Sequence, residues 1–212
     1  MNAAPLPWLL EPVNPSVRYW TLVDVLGYPD GAPEVQDTRG AIAEQALVKE
    51  VFALQHPDGH WGEDATKPYT AQGAVAALGL LHMLGVAPDE RTAAGCASFL
   101  RFCQSETGGF SLTRTLPSGV FPCTTGEHKR WLTFGVPRAW DLLSALKALA
   151  AHGYAHDARF APLLALVLEC QDAEGRWACG SVSKTWPLEK RNQPSKWVTL
   201  DALRVLKQAA QT

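Results

Sequence analysis

The sequence has little charge: 19% of its 212 residues are Asp, Glu, Lys or Arg against 47% hydrophobic, and the formal net charge is −2. That balance excludes disorder. Its 19 Lys and Arg residues are scattered, so the footprint of a nucleic-acid partner is missing and none is expected. Long apolar runs are missing too. The most apolar window, Ala74 to Val86, contains His82 and is too short for a bilayer, so no transmembrane segment is expected. Cys96, Cys103, Cys123, Cys170 and Cys179 are odd in number and form no C-x-x-C pair. They argue against a disulfide framework and for a reducing, cytoplasmic location. Met1 to Pro12 carry no Lys or Arg ahead of their apolar residues and are broken by Pro5, Pro7 and Pro12, unlike a signal peptide. G-x-S-x-G, a phosphate-binding P-loop, G-x-G-x-x-G and H-E-x-x-H are all absent, which disfavours serine-hydrolase, nucleotide and zincin chemistry.

Tryptophan, in contrast, is plentiful, with eight residues. Each large ring seeks burial and each N–H an acceptor, so this number indicates a structural or recognition theme. Self-comparison gives the theme a form. Gln55-His-Pro-Asp-Gly59-His-Trp61, Gln104-Ser-Glu-Thr-Gly108-Gly-Phe110 and Gln171-Asp-Ala-Glu-Gly175-Arg-Trp177 all read Q-x3-G-x-[WF]. Apolar residues at three-to-four spacing precede each, such as Leu47, Val51 and Leu54, so each Gln is expected in the last turn of a helix with Gly just beyond it as a left-handed cap. A second signature, [WY]-x3-[DGS]-[AV]-[LV], starts at Trp20, Tyr69, Trp140 and Trp197. The separation from Trp20 to Gln55 equals that from Tyr69 to Gln104, and Trp140 to Gln171 is slightly shorter. Each unit is therefore an αα-hairpin. Helices that open with the aromatic are nearly apolar throughout and belong inside, whereas those before Gln carry charge on one face and belong outside.

The Q-x3-G-x-W turns, with Phe134-Gly-Val-Pro-Arg-Ala-Trp140-Asp-Leu-Leu and the closing Trp197-Val-Thr-Leu-Asp201-Ala-Leu, resemble the QW-type repeats of prenyltransferase and squalene oxidase repeat proteins. These belong to the terpenoid cyclase and protein prenyltransferase superfamily, and the resemblance covers roughly residues 17 to 210. It implies an all-α fold, an α/α toroid or partial toroid of inner apolar and outer amphipathic helices. Residues 1–16 would form an arm and 17–212 one repeat domain, with 111–137 an irregular insertion in place of a missing hairpin. The chain supplies three complete hairpins and a final inner helix, so an incomplete ring with an apolar edge makes an oligomer a further expectation.

The same resemblance frames the chemistry. Class II cyclases protonate an alkene with an Asp from D-x-D-D, and prenyltransferase β subunits hold zinc with an Asp and Cys from D-x-C together with a His; both motifs are absent here. The carboxylates on expected inner helices are Asp24, Asp141 and Asp201. Burial would suit them to acid catalysis, although recurrence of Asp24 and Asp201 at one repeat position itself favours structure. Cys123-Thr-Thr-Gly-Glu-His128, with Cys170 and Asp172 in another repeat, is the nearest approach to a zinc site, through Cys123 and His128; otherwise no cofactor is expected. His128 also lies in the polar stretch Thr124 to Trp131 and is a candidate acid or base. Trp20, Tyr69, Trp140 and Trp197, joined by Trp131, would ring a concave mouth able to hold an isoprenoid-like molecule, or serve as repeat packing. The polar stretch Lys184 to Lys196, with Trp186, Lys190 and Arg191, suits either an anion or partner, or a solvated connection. Two functions follow. One is binding of a hydrophobic small molecule or protein segment in the concave face. The other is an isoprenoid-acting enzyme using a buried Asp or the Cys/His pair.

Overall fold

A computed structural model describes residues 5–68, 70–103, 135–136, 142–151, 154–156 and 160–210, and these are predominantly helical. The chain divides into two compact units, one of residues 1–36 and 124–212 and the other of residues 37–123.

The first unit is built around its last helix. It contains α1 (Leu6–Leu9), α2 (Pro15–Trp20) and a π turn (Thr21–Val25). Helix α3 (Pro33–Ala43) then crosses into the second unit, which holds α4 (Ala46–Ala53), α5 (Ala74–Leu84) and α6 (Glu90–Cys103). Back in the first unit come α7 (Leu142–Ala151), a 3-10 turn (Tyr154–His156), α8 (Phe160–Glu169) and α9 (Lys196–Ala210). The strand content described is one short parallel pairing, Gly135–Val136 with Ser181–Val182.

Helix α9 packs against α7, α2, the π turn and α1. Trp197, Val198, Thr199, Leu200, Ala202, Leu203 and Val205 are all buried, so most of its circumference faces protein. Its start is fixed by Ser195, whose hydroxyl accepts from Val198 N at 3.1 Å, and by Glu189, which accepts from Trp197 N at 3.3 Å and from the Ser195 hydroxyl at 3.1 Å. Both satisfy N–H groups that the first helical turn leaves without partners. Helix α1, within the expected arm, docks on α9 and buries Leu9 completely.

In the second unit, α5 packs on both α4 and α6. It ends at Gly85, whose φ of +80° allows a left-handed cap, with Val86 N donating to Leu81 O at 3.1 Å. The expected apolar helix is thus present, but Val75, Gly79 and His82 form an exposed stripe along it.

Two of the three repeat turns are described, one in each unit, and they share the same backbone closure and the same indole anchor. His56 N donates to His60 O and Asp172 N to Arg176 O, both at 2.9 Å. Gly59 and Gly175 have φ of +92° and +79°. Trp61 and Trp177 are buried, and their indole N–H groups donate to Val51 O at 2.8 Å and Val167 O at 2.7 Å. Each turn therefore folds back and bolts its tryptophan to the helix that precedes it. The glycines differ from the expected helix caps. Helix α4 ends at Ala53 and α8 at Glu169, and Gly59 and Gly175 instead close separate tight turns four residues after Gln55 and Gln171. At Gly59 a side chain is also excluded by space, since a Cβ would lie 2.4 Å from Ala94 O.

Candidate functional site

The two described carboxylates flagged by the sequence, Asp24 and Asp201, meet on one arginine in the first unit. Asp24 lies in the π turn, where Leu26 N reaches back to Thr21 O at 2.9 Å and the Thr21 hydroxyl donates to Val17 O at 2.8 Å. A π turn carries an extra residue and re-aims the side chains it contains. The Asp24 carboxylate pairs with Arg204 Nη2 at 2.5 Å, and Asp201 pairs with Arg204 Nη1 at 2.8 Å. Asp201 also accepts from Lys147 Nζ on α7 at 2.8 Å. Lys207 Nζ donates to the Asp24 carbonyl at 2.7 Å, and the Arg204 guanidinium lies 4.9 Å from the centroid of the Trp20 ring. The set is a chain of alternating charges, Asp24, Arg204, Asp201 and Lys147, that ties the π turn, α9 and α7 together.

This arrangement compensates charge rather than exposing an acid. A general acid for an alkene must donate a proton into an apolar cavity, whereas both carboxylates here accept from cations. Arg204 has a 15% exposed side chain, and its Nε is buried with no hydrogen-bond partner. Removing either carboxylate would leave a partly desolvated cation short of a partner, so the network behaves as a lock between elements.

Of the aromatic candidates, Trp20 closes α2 with its ring edge-on to Tyr19 at 4.8 Å and Arg204 beside it. Trp197 is buried in the first turn of α9, where it has a packing role. Tyr69, Trp131, Trp140, Asp141, Cys123 and His128 lie outside the described residues, as does most of the expected insertion at 111–137. Among the described residues no group of three or more His, Cys, Asp or Glu side chains is placed to hold a metal ion. Cys170, weighed as a zinc ligand, has its thiol pushed up by burial and secondarily by the Glu169 charge, and it contacts Leu166 O at 3.4 Å.

Sequence reasoning missed the cations, although a signal was present. Arg204 stands three residues after Asp201, and Lys147 three after Ser144, the corresponding positions of two repeats. On a helix that offset is one turn, which sets Arg204 beside Asp201. Gly27 occupies the same register in the first repeat. Its φ of +76° turns the chain, and Lys207 Nζ lies 3.9 Å from where its Cβ would be.

No family model, curated protein or solved structure matches the chain. Among the described residues no helix is long and apolar enough to cross a membrane.

Proposed function

We propose that the chain is a QW-type α/α-toroid repeat protein that holds a hydrophobic, isoprenoid-like molecule in its concave face and does not convert it. The observation that favours binding over conversion is the sharing of Arg204 by Asp24 and Asp201, with Lys147 as the second cation: these two candidate acids are engaged in ion pairs. The toroid reading draws support from the two matching turns, because identical bolts at Trp61 and Trp177 are what stacked αα-hairpins require. A cytoplasmic location agrees with Cys96, Cys170 and Cys179 being free thiols.

The test is incubation of purified protein with tritiated farnesol and, separately, farnesyl diphosphate. Saturable binding of label that is recovered chemically unchanged, in wild type and in Asp24→Asn and Asp201→Asn alike, is the expected result. A cyclised or transferred product that disappears in either variant would show an enzyme instead. Failure of both labels to bind removes the isoprenoid-like ligand.

A further inference from the structure

The first unit contains a second feature that the charge lock does not use, an open cleft of about 710 Å³ between α1, the Gly175 turn and the segment leading into α9. Trp8, Arg176, Pro187, Leu188, Glu189, Lys190, Gln193 and Pro194 line it. Its size lies within the range of small-molecule pockets and exceeds what one inorganic ion needs.

The charges around it divide into engaged and unengaged. Glu189 is engaged by the start of α9, as described above, and burial pushes its carboxyl up. Lys196, beside the cavity, is 8% exposed and pairs with Glu11 at 2.6 Å. Arg176 and Lys190 have no carboxylate partner among the described residues. Arg176 stands 4.8 Å from the centroid of the Trp8 ring, and its Nε is buried with no hydrogen-bond partner.

Comparison of the two repeat turns sharpens this. In the second unit His60, at the position of Arg176, pairs within its own turn with Asp58 at 2.5 Å. The corresponding acid in the first unit is Glu174, two residues before Arg176, yet Arg176 makes no ion pair with it and lies against Trp8. A guanidinium ordered by an aromatic ring, with a nearby carboxylate unused, is prepared for an oxyanion supplied from outside.

We propose that this cavity binds a small organic anion, a carboxylate or phosphate monoester with an apolar body. Its oxyanion pairs with Arg176 and Lys190, and its body lies against Pro187, Leu188 and Pro194. Gln193 adds a neutral amide donor on the wall. None of its lining residues belongs to the aromatic set of the isoprenoid-binding reading, so failure of one and failure of the other are separate results.

The test is isothermal titration calorimetry with three probes, phenyl phosphate, benzoate and inorganic phosphate, on wild type, R176Q, K190Q and the control K184Q. Saturable one-to-one binding of phenyl phosphate or benzoate is expected, and which of the two binds tighter distinguishes a phosphate ester from a carboxylate. R176Q should weaken it at least tenfold and K190Q severalfold, with K184Q unchanged. Inorganic phosphate should bind at least tenfold more weakly than phenyl phosphate. Absence of saturable binding by both aromatic probes overturns the proposal, as does wild-type affinity in R176Q or inorganic phosphate binding as tightly as its phenyl ester. Should near-UV circular dichroism show R176Q unfolded, K190Q decides: wild-type affinity there overturns the proposal too.

Discussion

Trp61 and Trp177 do the same job in different units. Each buries an indole and spends its N–H on a helix carbonyl ten residues upstream. Replacing either by Phe retains most of the ring but loses the hydrogen bond and part of the buried area, so each variant should lose about 1–3 kcal/mol in urea unfolding. Equivalence of the two turns predicts costs within about 1 kcal/mol of each other, the usual scatter of such deletions. A large loss for one and none for the other would show that the repeats are not mechanical equals. These anchors were legible in the sequence because spacing, glycine and aromatic recur together. The carbonyls they reach were not, since Val51 and Val167 carry no side-chain signal of a backbone role. Glu189 was equally hidden inside a polar stretch, and it has its own pH signature. Burial raises its carboxyl above the ordinary value of 4.5, so the folded chain retains a proton that the unfolded chain has released. Stability from this group therefore falls as pH rises from that ordinary value through the raised one. Urea unfolding at pH 5 and pH 8 should show wild type losing ground to Glu189→Gln at the higher pH, and a difference that does not change with pH would contradict the assignment.

At the scale of elements, α9 organises the first unit. Its N-terminus is capped by Ser195 and Glu189, its body is core, and its outward-leaning charges Asp201 and Arg204 reach α7 and the π turn. The helix itself was legible from Trp197 onward, and α7 follows Trp140, where the same signature leads to an apolar helix. The π turn was not legible, because the sequence from Thr21 to Val25 scans as ordinary helix. Within it Asp24 faces Arg204, and the Thr21 hydroxyl bonds Val17 O. The lock yields a quantitative expectation. Arg204→Met should destabilise by about 1–3 kcal/mol, below the cost for a fully buried pair because Asp24 and Asp201 retain some exposure to solvent. A double-mutant cycle with Asp24→Asn should give a coupling energy of at least about 0.5 kcal/mol. Additive effects would mean that the two residues are neighbours without energetic dependence.

At the scale of the molecule, the helical class and the recurring turns at Trp61 and Trp177 were readable because periodicity, glycine and aromatics all point the same way. The candidate site was only half readable. Asp24 and Asp201 were singled out as carboxylates on expected inner helices, but whether such a group is an acid or an ion-pair partner also depends on cations from other elements, Arg204 for Asp24 and Lys147 for Asp201, which spacing within one repeat does not reveal. The Trp8 cavity was less readable still, because it joins a residue of the arm to a turn and a connection far along the chain. Binding of an apolar ligand without conversion is checked by native mass spectrometry of protein purified without detergent, followed by organic extraction of the same sample. The expected result is a stoichiometric adduct that solvent extraction releases as one apolar compound, unchanged on renewed incubation with the protein. A preparation that carries no adduct and takes up no farnesol, or one that transforms the extracted compound on incubation, would contradict it.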